Sequence, residues 1–222
     1  MADLTDMKRI FLIFLALFSV YFQAQQSPFW NEIQHFKQLD KDTAPPKNAI
    51  LLIGSSSFTM WKDVADYFPG KVIINRGFGG SSLKDLNRYS TELLEPYHPK
   101  QILIYCGEND FASDASLTSK DVFKRYKTFY KAIREYYPDI PVAYISIKMS
   151  PSRENLWKQF QETNARIKKF MKNRKNAEYI DITKPMEDAF GNVRNDLFLE
   201  DMLHMKPEGY RIWTEAMMPY MK

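Results

Sequence analysis

Four short groups of residues in this sequence have the types and spacing to do chemistry. The first is Gly54-Ser55-Ser56-Ser57, straight after an apolar run. A small-residue turn there lets a hydroxyl and backbone N–H groups face a crevice, although such turns also simply end strands. It is not a phosphate-cradling loop, because no Gly-Lys-Ser/Thr follows. Nor is it a Gly-x-Ser-x-Gly elbow, since Phe58 stands where the second glycine would be. The second group, Asn75-Arg76-Gly77-Phe78-Gly79-Gly80-Ser81-Ser82, permits positive φ and close backbone approach. It lacks the Gly-x-Gly-x-x-Gly spacing of a dinucleotide site, so alone it reads as a loop bend. The third, Gly107-Glu108-Asn109-Asp110, offers a side-chain amide that can donate into a crevice or merely form a turn. The fourth is Asp201-Met202-Leu203-His204. An Asp three residues before a His can accept from Nδ1–H, fix the tautomer and leave Nε2 as a base. A capping Asp beside a surface His is the competing reading.

These groups must be positioned by the elements around them. Short apolar runs at 49–53, 72–74, 101–106, 142–147 and 179–182 read as strands. Between them lie amphipathic stretches. Val122, Tyr126, Phe129, Ile133 and Tyr137 share one helical face, and Leu156, Phe160, Ile167 and Met171 share another. Residues 207–220 form a last helix, with Pro207 suited to its first turn. Residues 25–48 are a polar, amphipathic lead-in. Buried strands alternating with helices predict an α/β fold with a parallel sheet covered on both faces. In such sheets ligands sit beyond the carboxyl ends of the strands, where the first three groups lie.

Composition narrows the rest. The chain has 222 residues, 45% hydrophobic and 15% aromatic, which excludes disordered, collagen-like and coiled-coil classes. The only cysteine, Cys106, cannot form an internal disulfide; its apolar neighbours predict a buried small hydrophobe. No His-Glu-x-x-His or dense ligand cluster is present, so neither a metal site nor a cofactor is expected. His98, between Tyr97 and Pro99, reads as a surface-loop residue, and His35 lies in the amphipathic lead-in. Lys8 and Arg9 precede an apolar run over 10–22 and then Gln23-Ala24-Gln25. That order predicts a secretory signal peptide over 1–24, and export to the periplasm or outside, ahead of one domain over 28–222. The run would rise only about 20 Å as a helix against a bilayer core of about 30 Å, so no stable membrane span is expected.

Taken together, Gly-x-Ser after the first strand, Gly80 after the second, Gly-x-Asn-Asp after the third and Asp-x-x-His near the end resemble the SGNH hydrolase superfamily, the GDSL-type esterases and lipases. Ser55 stands where the best-known members carry Asp, so the resemblance is to the Gly-Ser-Ser branch. It implies a three-layer α/β/α sandwich, flavodoxin-like, on a five-stranded parallel sheet. It also implies Ser56 as nucleophile, His204 as general base and Asp201 as the group that orients His204. The oxyanion hole would combine the N–H groups of Ser56 and Gly80 with the Asn109 amide. The serine run leaves Ser55 and Ser57 open as alternatives by register.

The activity so implied is hydrolysis of short-chain acyl esters, acetyl above all, through an acyl-serine. Carbohydrate O-acetyl esters and lysophospholipid-like acyl esters are the candidate small-molecule or polysaccharide substrates. Phe58, Trp61 and Phe78 are candidates to wall the substrate pocket, and Arg76 to meet an anionic group. The loop over 149–153 follows the fourth strand and is placed to border the site. A non-catalytic carbohydrate-binding module on the same fold is the alternative function. A nucleic-acid binder is disfavoured: the net charge is only +4, and the basic run Arg166, Lys168, Lys169, Lys172, Arg174 and Lys175 fits a helix C-terminus.

Overall fold

The computed structural model describes residues 27–222; the signal peptide expected over 1–24 lies outside them. Five parallel strands form one sheet in the order β2-β1-β3-β4-β5. They are β1 (Ile50–Gly54), β2 (Ile73–Gly77), β3 (Gln101–Tyr105), β4 (Val142–Ile145) and β5 (Ala177–Ile180). In register, Ile53 of β1 lies between Arg76 of β2 and Ile104 of β3. β1 and β3 are buried along their whole length, which is why they read as unbroken apolar runs.

Alternate side chains of these strands feed two cores, one on each face. Leu51, Ile53, Ile102 and Ile104 pack beneath α6 (Ser119–Tyr136) and α7 (Trp157–Lys172). Ile50, Leu52, Leu103 and Tyr105 pack against α8 (Pro207–Met217), led by Trp213. The result is the three-layer α/β/α sandwich. A capping box starts α6: Thr118 and Asp121 each satisfy the other's backbone N–H. Pro207 lies in the first turn of α8, where its missing N–H costs nothing. A 3₁₀ turn over Met218–Tyr220 continues α8 and is clasped to the start of β3. There Gln101 Nε2 donates to Tyr220 O at 2.7 Å and the Lys222 N–H donates to Gln101 Oε1 at 2.9 Å. Among the described residues no helix is long and apolar enough to cross a membrane.

Three sequence expectations shift. The lead-in holds a full helix, α1 (Trp30–Asp42), of which only Ile33 is fully buried. The last strand falls at Ala177–Ile180 rather than 179–182. Arg76 does not wait for an anion. It is half-buried in an ion pair with Asp40 of α1, and its Nε donates to Tyr97 Oη at 2.7 Å. That pair fastens α1 along the edge strand β2. Part of the basic run on and just after α7 is also committed: the Arg174 guanidinium lies 3.4 Å from the Phe170 ring centroid, and Arg166 donates to Ser119.

Candidate active site

The turn after β1 has to be tight. A Cβ on Gly54 would stand 2.0 Å from the Tyr105 carbonyl oxygen, so β1 and β3 approach each other only with glycine there. Ser55 then donates its N–H to Tyr105 O at 3.1 Å, and its own carbonyl accepts from Phe58 and Thr59. This starts the one-turn helix α2 (Ser56–Thr59). Within the serine run, Ser55 and Ser57 are 3% and 1% exposed, whereas Ser56 is only half-buried.

Ser56 meets a loop from the far end of the chain. Its Oγ lies 3.0 Å from His204 Nε2, and His204 Nδ1 lies 2.6 Å from Asp201 Oδ2. With Nδ1–H donated to the carboxylate, Nε2 is left as an acceptor facing the hydroxyl; the tautomer is assigned from this network. Asp201 Oδ1 accepts from the backbone N–H groups of Leu203 at 3.0 Å and His204 at 2.9 Å. The spacing of the Asp-x-x-His group thus folds back on itself, with Met202 in the left-handed region at φ 51°. Burial alone would raise the Asp201 carboxyl. Donation by the His204 backbone and ring and by Leu203 outweighs that and pulls it down to about 2.

Neighbouring segments frame the loop. Phe198 and Met205 form an antiparallel bridge, and Leu199 N–H donates to His204 O at 2.7 Å. From the segment after β4, Ser152 donates both its N–H and its Oγ–H to Met202 O at 3.0 Å. The loop over 149–153 therefore does border the site.

The candidate oxyanion donors come from three strand ends. Gly80 is exposed and has φ +82°, a conformation that favours glycine. Among the described residues neither the Ser56 nor the Gly80 N–H has a backbone acceptor. The half-buried Asn109 donates through Nδ2 to Ser81 O at 3.0 Å, which leaves its second amide proton for the crevice. Asp110, next in the same group, is fully buried and holds the glycine loop from below. Its Oδ2 accepts from the Leu83 N–H that opens α3 (Leu83–Arg88), and its Oδ1 from Arg125. Sequence reading found no role for Asp110 because its partners are 27 and 15 residues away.

Two of the three expected pocket walls are corrected. Phe58 and Trp61 are 0% exposed and belong to the core under α8. Phe58 meets Tyr105 and Trp213 edge-on, and Trp61 stacks on Tyr210 at 4.7 Å. Following the nucleophile in sequence, both rings turn into the sheet rather than towards the crevice. Phe78 is 1% exposed, yet it forms part of the wall of a cleft of about 620 Å³ between α1 and the α2 segment. Glu32, His35, Phe36, Thr59 and Lys62 also face this cleft. Ser56, Asn109 and His204 do not line it; it adjoins their site through Thr59 and Gly79.

Cys106 is buried, and burial pushes its thiol up, so it is no nucleophile. Among the described residues no three His, Cys, Asp or Glu groups converge as metal ligands.

Residues 53–212 match the GDSL-like lipase/acylhydrolase family. No curated protein sequence matches the chain. Solved structures do. A Streptococcus pneumonia structure described provisionally as a platelet activating factor shares 18% identity and a TM-score of 0.74, over 95% of this chain and 99% of the other. A GDSL-like lipase from Bacteroides thetaiotaomicron shares 19% identity and a TM-score of 0.72, over 85% and 96%. A family 3 carbohydrate esterase of Clostridium thermocellum shares 13% and 0.59, over 79% and 98%. At these identities the likeness is one of fold.

Proposed function

The chain belongs to the GDSL-like lipase/acylhydrolase family and is an ester hydrolase; from that premise we propose that it is an exported serine esterase cleaving short-chain acyl esters, acetyl esters of carbohydrate first among them. The observation that carries the mechanism is the unbroken hydrogen-bonded line from Ser56 Oγ through His204 to Asp201. His204 Nε2 takes the Ser56 proton as Oγ attacks the ester carbonyl, since a free hydroxyl is a poor nucleophile. Asp201 stabilises the imidazolium so formed. The carbonyl oxygen becomes an oxyanion facing the Ser56 and Gly80 N–H groups and the Asn109 amide. Collapse expels the alcohol, which receives the proton from His204, and leaves an acyl-serine. Water, deprotonated by His204, then releases the carboxylic acid and restores Ser56.

The substrate class rests on two supports. Phe58 and Trp61 are committed to the core, so neither lines a long-acyl tunnel beside Ser56. The adjoining cleft mixes hydrogen-bonding side chains (Glu32, His35, Lys62) with the rings of Phe36 and Phe78, a lining that suits the alcohol side of a sugar ester. Export rests on Lys8-Arg9 and the apolar run over 10–22.

The test is hydrolysis of nitrophenyl acetate, butyrate and octanoate by the protein and its Ser56→Ala variant. Turnover that is fastest on acetate and vanishes in the variant is expected. Turnover that survives Ser56→Ala would defeat the assignment of the nucleophile. Absence of turnover, with binding of acetylated polysaccharide retained, would favour a carbohydrate-binding module.

A further inference from the structure

One buried acid beside Asn109 plays no part in that mechanism. Glu108 lies between Gly107 and Asn109 at the end of β3 and is 4% exposed. Its Oε2 accepts from Lys148 Nζ at 2.5 Å and from Tyr105 Oη at 3.0 Å. Its Oε1 accepts from Ser150 Oγ, and the Arg153 guanidinium stands 3.6 Å away. Lys148 is 1% exposed and also donates to Tyr105 Oη at 3.2 Å, which closes a triangle of three buried polar groups. Burial drives the Glu108 carboxyl up, but Lys148, Arg153 and Ser150 pull it below its ordinary value, so it stays a carboxylate. A buried ion pair of this kind is a poor source of net stability, because desolvating both charges offsets most of their attraction. What it fixes is geometry.

Apart from Tyr105, the partners of Glu108 (Lys148, Ser150 and Arg153) all come from the segment after β4. Ser150 O accepts from Trp157 Nε1 at 2.9 Å, which seats that segment on α7. Two residues on, Ser152 holds Met202 O, at the turn between Asp201 and His204. One side chain therefore joins the strand end that presents Asn109 to the segment that seats the acid and the base. We propose that Glu108 is a positioning residue for ester hydrolysis: its carboxylate sets the distance between the oxyanion donor and the Asp201–His204 loop. This rests on the serine-esterase reading above. A misplacement of about 1 Å between reacting groups costs on the order of 100-fold in rate.

The experiment compares wild type, Glu108→Gln, Glu108→Gln/Lys148→Met and Ser150→Ala. It measures kcat and KM on nitrophenyl acetate, the rate of inactivation by diethyl nitrophenyl phosphate, and Tm. Glu108→Gln should lower kcat and the inactivation rate together by about 10- to 100-fold, with KM within about twofold. The double variant removes the stranded ammonium. It should recover Tm and leave both rates low. Rates that return with Tm would overturn the proposal and make the pair a purely structural one. So would a folded Glu108→Gln protein with wild-type rates. If Glu108→Gln fails to fold, Ser150→Ala decides, since it cuts one tether without stranding a charge: a lower kcat at unchanged Tm supports positioning, and an unchanged kcat overturns it. A wild-type protein inert to both ester and phosphate would overturn the esterase reading, and the proposal with it.

Discussion

Replacing Asn109 by alanine would separate the tether that its amide makes from the oxyanion role proposed for it. One Nδ2 proton is spent on Ser81 O at 3.0 Å, tying the end of β3 to the glycine loop after β2. The other is the one proposed to donate to the oxyanion. The tether is a neutral hydrogen bond at a half-buried position, worth about 1 kcal/mol net. In a domain of this size that lowers Tm by about 2–4 °C. A preorganised donor to an oxyanion is worth far more, about 3–4 kcal/mol, because it acts on charge that develops only in the transition state. Asn109→Ala should therefore lower kcat by about 100- to 1000-fold with little change in KM. Steady-state kinetics on nitrophenyl acetate beside a thermal melt read both quantities from one preparation. A Tm drop with kcat within about threefold of wild type would refute the reasoning, leaving Asn109 as a tether alone. Asn109→Asp should be worse still, since it sets an acceptor and a negative charge against both Ser81 O and the oxyanion.

Other outcomes follow from the same geometry. Gly54→Ala would drive a Cβ to 2.0 Å from the Tyr105 carbonyl, and prying β1 from β3 should cost at least about 3 kcal/mol; a melt within 2 °C or so of wild type would refute this. Trp61→Phe should lower Tm while leaving KM unchanged, because Trp61 stacks on Tyr210 inside the core; a raised KM for sugar esters would return it to the substrate wall. The Asp201 carboxyl is depressed from 3.8 to about 2, so its stabilising contribution is complete above about pH 4 and is lost as pH falls through 2. Its side chain is 47% exposed, which screens that contribution to no more than about 1 kcal/mol. Urea unfolding of wild type and Asp201→Asn from pH 5 to pH 2 should show a gap that closes towards pH 2. A gap that persists there would refute the linkage.

What the sequence made legible was local. Buried strands such as Ile50–Gly54 announce themselves because parallel strands are apolar on both faces. Ser56, Gly80 and Asn109 could be read as candidates because they follow β1, β2 and β3, whose carboxyl ends share one edge of the sheet, and Asp201 and His204 because of their own spacing before the last helix. The helix Trp30–Asp42 was not, because it buries only Ile33 fully and its polar stripe hides the period. Phe58 and Trp61 were misplaced for a different reason. Proximity to Ser56 in sequence says nothing about which side of a one-turn helix a ring occupies. Arg76 and Glu108 have partners 36 and about 40 residues away, so their ion pairs cannot be read from spacing.

The span between nucleophile and base has a consequence for how this protein comes to life. Ser56 and His204 are 148 residues apart, and the helix that follows His204 is clasped at its far end to Gln101. A folding intermediate that has paired β1 with β3 already carries the serine, the glycine loop and the amide, but no base. Such long-range closure is paid late, after local elements have formed. In a refolding experiment, helix content would return first, whereas burial of Trp61 and Trp213, which meet at α8, would return together with hydrolysis. Hydrolysis would return only with the docking of the last helix, which makes turnover a clock for the final step of assembly.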